Sequence, residues 1–69
     1  MSNFDKYSFT FKMLDTMRKE FNKQFKGLLA IAKEDNQENF DFALNASISK
    51  LKTMLHLLES IQQQNSKSE

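Results

Sequence analysis

The sequence predicts an all-α fold: two long helices in an antiparallel hairpin, completing a helical bundle by association with itself or with another chain. Three observations carry this expectation. Apolar residues recur at helical spacing through both halves of the chain. The 69 residues include no proline, no cysteine, no valine and one glycine, so the turn residues and β-branched residues that sheets need are missing. A stretch without any apolar residue, Lys33-Glu34-Asp35-Asn36-Gln37-Glu38-Asn39, divides the two halves.

The first helix is expected over residues 3–33. Ser2, followed three residues later by Asp5, suits its start. Its apolar face runs Phe4, Tyr7, Phe11, Leu14, Phe21, Phe25, Leu28 and Ala32, in steps of three, four and seven. Arg18 occupies the skipped position, with Met17 beside it. Gly27 costs about 1 kcal/mol relative to alanine inside a helix, but strong helix formers follow it, so the helix reads through. Tyr7-Ser8-Phe9-Thr10-Phe11 alternates apolar and polar residues as a strand does, which leaves residues 1–9 open to helical, extended or disordered states.

The turn falls at residues 34–36, where Asp35 and Glu38 have the spacing of a capping box. Acidic residues there meet the positive end of the second helix, and Lys33 meets the negative end of the first. The second helix is expected over residues 36–64, followed by a polar tail at 65–69. In heptad terms Leu44, Leu51 and Leu58 hold a, Ser47, Met54 and Ile61 hold d, and Ile48 and Leu55 hold e. An a/d/e stripe of this width belongs to a bundle core and exceeds what one partner helix covers. Residues 1–64 thus form one hairpin with surplus apolar surface. A chain this short has a small core, and without disulfides association is its remaining route to stability.

The formal charge of +1 hides an asymmetry. Residues 3–33 hold seven cations against Asp5, Asp15 and Glu20, while residues 34–45 hold Glu34, Asp35, Glu38 and Asp41 with no cation. No catalytic constellation is visible. His56, the single histidine, lies about 160° from Phe40 around the helix and reads as a solvated residue. Neither Ser49 nor Ser60 gains an oriented third group from it. Asp35, Gln37, Asn39 and Asp41 alternate like a calcium loop, but Phe40 stands where that loop needs glycine. No metal and no cofactor is expected. The longest apolar run, Leu28–Ala32, is far shorter than the roughly 20 residues of a membrane span. The first residues carry no basic and apolar leader, so a cytoplasmic location is the default.

The expected function is that of a noncatalytic interaction module that binds a partner helix through its apolar stripe. Phe21, Phe25, Leu28, Leu44, Ile48, Leu51, Leu55 and Leu58 carry that stripe. Phe9, Met13, Phe42 and Leu57 lie off it and offer a second contact surface. The competing expectation is a homodimeric regulator that binds nucleic acid through a lysine face formed by Lys12, Lys19, Lys23, Lys26 and Lys33.

In length, in its two helices joined by a polar turn, and in an aromatic residue (Phe40) near the start of the second helix, the chain resembles the small co-chaperones of bacterial type III secretion needle subunits. That resemblance implies a cytoplasmic protein that pairs with a larger helical chaperone and keeps a needle subunit monomeric. The chain also resembles plasmid copy-control hairpins, which dimerise into four-helix bundles and bind paired RNA loops. Neither likeness supplies a signature residue, so no functional residue is carried over.

Overall fold

The computed structural model describes residues 2–67; Met1, Ser68 and Glu69, and with them the last two positions of the expected tail, lie outside it. The described chain forms three helices, α1 (Asn3–Lys6), α2 (Ser8–Ala32) and α3 (Gln37–Lys67). α2 and α3 pack against each other as a rod of 52 × 17 × 12 Å, with no strand among the described residues.

The first expected helix is broken once, at Tyr7. Ser2 caps α1, its Oγ accepting from the Asp5 N–H at 3.1 Å. Tyr7 leaves the helical region at φ −116°, ψ 29°, yet its carbonyl accepts from the Phe11 N–H at 3.0 Å and so starts α2. The Phe4 and Phe11 rings stack with centroids 5.8 Å apart. In a straight helix these residues rise about 10.5 Å apart, so the break brings the first turn back over α2.

α2 ends with the Lys33 and Glu34 N–H groups donating to the Ala30 and Ile31 carbonyls at 3.2 and 3.0 Å. These tighter bonds satisfy end carbonyls that an α-helix leaves free. The cap of α3 is Asn36 rather than Asp35: its Oδ1 accepts from the Asn39 N–H at 3.1 Å. Asparagine caps as well as aspartate, and Gln37 adds a bond from Nε2 to Asp41 Oδ1 at 3.0 Å. α3 runs to Lys67, three residues past the expected end, since glutamine and lysine are good helix formers and a terminal cation suits the helix dipole.

Each long helix turns a seven-residue row toward the other. On α2 this row is Leu14, Phe21 and Leu28, extended by Tyr7 at its N-cap, and on α3 it is Phe40, Ser47, Met54 and Ile61. All of these are buried or half-buried. Sustained seven-residue spacing is the pattern of helices packed as a coiled coil. The core is thin: Tyr7, Leu14 and Leu28 are the buried apolar residues among those described. Gly27 lies inside α2 with an ordinary φ, and a Cβ there meets nothing within 4 Å. Gly27→Ala is therefore expected to stabilise the hairpin by about 0.5–1 kcal/mol, read as a raised midpoint in urea unfolding.

Candidate docking face

Of the three rows expected on α3, the seam keeps only the d row. Beside the d row it takes Ala43, Lys50 and Leu57, all half-buried. The a and e rows turn outward. Ile48, Leu51, Leu55 and Leu58 are each between 46% and 53% exposed, and only Leu44 of that face is half-buried. On the opposite flank Lys50 Nζ sits 2.9 Å from Glu20 Oε2, and Gly27, Ala43 and Ala46 line a groove with Ile31 and Phe42. Two helices bury only part of a three-row stripe, and here the smaller row faces inward.

The outward rows share one flank with aromatic residues of α2. A groove lined by Phe4, Phe11, Leu14, Arg18, Met54 and Leu58 joins the two helices there. Phe25 belongs to the same α2 row as Phe11 and Arg18. It is 43% exposed, and its ring stacks on Phe21 with centroids 5.8 Å apart. Of the eight residues expected to bind a partner, Leu28 is buried in the seam, and Phe21 and Leu44 stand at its edge. Phe25, Ile48, Leu51, Leu55 and Leu58 face out. The other flank is mixed: Glu20, Gln24, Gly27, Ala43 and Lys50 stand there with Met17, Ile31 and the exposed ring of Phe42.

The residues expected to form a second surface fall in separate places. Leu57 is half-buried in the seam. Phe9 and Met13 lie near the open end of the hairpin, lining a shallow groove with Met17. Phe42, 77% exposed, lies near the turn, roughly 30 Å away along the helices.

Lys12, Lys19, Lys26 and Lys33 form a seven-residue row along α2 at the outer rim of the leucine flank, and Lys23 stands one row off it. Asp15 interrupts this positive border. It accepts from Arg18 Nη2 at 2.8 Å and lies 3.5 Å from Lys19 Nζ. The hydrogen bond from Arg18 holds the Asp15 carboxyl below the usual carboxylate range. These exposed pairs orient charge and add little stability.

Ser47 is 5% exposed, and its Oγ has no hydrogen-bond partner. A buried hydroxyl without a partner is destabilising, and alanine is the better helix former. Ser47→Ala is expected to raise stability by about 1 kcal/mol, measured by thermal or urea unfolding. His56 is exposed, and the described residues hold no group of three His, Cys, Asp or Glu side chains placed to bind a metal. No described helix is long and apolar enough to cross a membrane.

Fold and face together define a small helical hairpin with a leucine-rich flank on one side and a mixed flank on the other. No protein-family model, no curated protein and no solved structure matches the chain.

Proposed function

We propose that the chain is a noncatalytic interaction module whose leucine flank is covered by helices of another polypeptide chain. The observation that supports this reading is the unbroken outward row Ile48, Leu51, Leu55 and Leu58, half-exposed beside Phe25 and the Phe4–Phe11 groove. Contiguous apolar surface of this kind marks an interaction site, and an amphipathic helix laid into it is a common mode of recognition. Adaptors use such a face, and so do small chaperones that shield an aggregation-prone helical subunit. The nucleic-acid reading is the weaker one, because Asp15 and its ion pairs place an anion within the lysine row.

The test compares Leu55→Glu, on the leucine flank, with Thr53→Glu, an exposed polar position off that flank. Wild-type chain is expected either to associate in sedimentation equilibrium or, as a monomer, to bind a hydrophobic fluorescent dye. Leu55→Glu removes whichever signal is present, and Thr53→Glu keeps it. A wild-type monomer that binds no dye would falsify the reading.

A further inference from the structure

We infer that α1 is a movable cover for the open end of the leucine flank. It folds onto Phe11 while the flank is free and rejoins α2 as one straight helix when the flank is occupied. This rests on the reading of that flank as a docking face. The first argument is what α1 covers. Phe4 stacks on Phe11 with centroids 5.8 Å apart and ring planes 8° from parallel, and both rings line the groove with Leu14, Met54 and Leu58. Phe11 and Phe25 stand in one seven-residue row of α2. Phe11, beneath Phe4, is half-buried, while Phe25 is 43% exposed. A helix laid along the flank reaches the face of the Phe11 ring only by taking the place of Phe4.

The second argument is that α1 is lightly held. None of its four residues is buried, its backbone packs on α2 and not on α3, and Phe4 stays 57% exposed. The bend at Tyr7 has no proline or glycine, and no described residue has a positive φ, so no residue locks it. The third argument is that the chain is patterned for the straight form. Tyr7, Leu14, Phe21 and Leu28 keep seven-residue spacing across the break, and so do Phe4, Phe11, Arg18 and Phe25. A single helix from Asn3 to Ala32 matches α3 in length to within one residue. The register set by the Glu20–Lys50 pair and the Leu28–Ala43 groove puts Lys67 level with the place Asn3 takes in that helix. α3 therefore already runs the full length of the straight form.

The two forms differ in what the groove offers. In the bent form Phe4 sits on Phe11. In the straight form Phe4 lies about 10.5 Å along the helix from Phe11, and the Phe11 ring is uncovered. An occupant of the groove gains that ring only in the straight form, so its binding shifts the chain toward it. The coupling is reciprocal: whatever loosens the Phe4 stack tightens binding at the flank.

The experiment places spin labels on Asn3→Cys and Lys26→Cys, exposed positions in a chain without other cysteines. Unlabelled chain is added in excess, so that a pulsed measurement reads separations within one chain. A straight helix sets the two positions about 35 Å apart, and the bend shortens that distance. The flank is empty in the Leu55→Glu background. In the wild-type background it is occupied, either by association or, in a monomer, by saturating anilinonaphthalene sulfonate. The expected result is the short separation in Leu55→Glu and a shift to about 35 Å in the occupied chain. Phe4→Ala, in the unlabelled chain, is expected to tighten association or dye binding at least about 3-fold. An occupied flank without lengthening overturns the inference and leaves the docking face standing. Unchanged or weaker binding in Phe4→Ala does the same, because Phe4 would then be no cover. A wild-type chain that neither associates nor binds the dye overturns both.

Discussion

Leu55→Glu is expected to leave the chain a helical hairpin and to abolish its association. Leu55 is 53% exposed in the single hairpin, so a carboxylate at that position stays in water while the chain is alone. Glutamate is also a good helix former, so α3 keeps its propensity. Once another chain covers the flank, the same carboxylate is taken out of water without a partner, at a cost of several kcal/mol. Far-UV circular dichroism should therefore show helicity unchanged while the mass falls to one chain. A variant that lost helix and association together would make Leu55 part of the hairpin's own core, against its position in the fold.

Leu28→Ala should do the opposite and act on the hairpin itself. Leu28 is 9% exposed and is one of the three buried apolar side chains among the described residues. Removing a buried leucine typically costs about 2–5 kcal/mol. A chain of this size has roughly 3–10 kcal/mol of total stability, so the loss consumes much of it. The thermal transition should move down by many degrees or lose its cooperativity, in the presence or absence of a partner. Leu51→Ala in a chain held monomeric by Leu55→Glu serves as the control. Leu51 is 47% exposed, so that change should shift the transition by much less. Equal shifts for Leu28 and Leu51 would mean that the seam and the flank are not distinct.

Much of this was legible in the residue spacing. The two helices, the polar break after Lys33, the passage through Gly27 and the surplus of apolar surface all follow from local propensity and period. The rotation of α3 did not. Its a, d and e positions form three adjacent rows, and periodicity alone does not say that only the d row meets α2, beside the Ala43, Lys50 and Leu57 row. The rotation is accompanied by Lys50 reaching Glu20, a pairing across thirty residues that local spacing does not encode. That rotation moves Leu57 into the seam and Leu51 out of it. The Tyr7 break was hidden for a similar reason, because the Phe4–Phe11 stack that accompanies it is tertiary. The cap at Asn36 differs from Asp35 by one residue, a distinction that two equally good capping residues do not encode.

Sedimentation equilibrium on wild-type chain and Leu55→Glu, with circular dichroism on the same samples, tests the central claim most directly. The account predicts that wild type either exceeds one 8.1 kDa chain mass or, as a monomer, binds a hydrophobic dye, that the variant stays at one chain mass and binds none, and that helicity is equal in both. Wild type and variant of the same associated mass would contradict it, because the leucine flank would then not be where the chains meet.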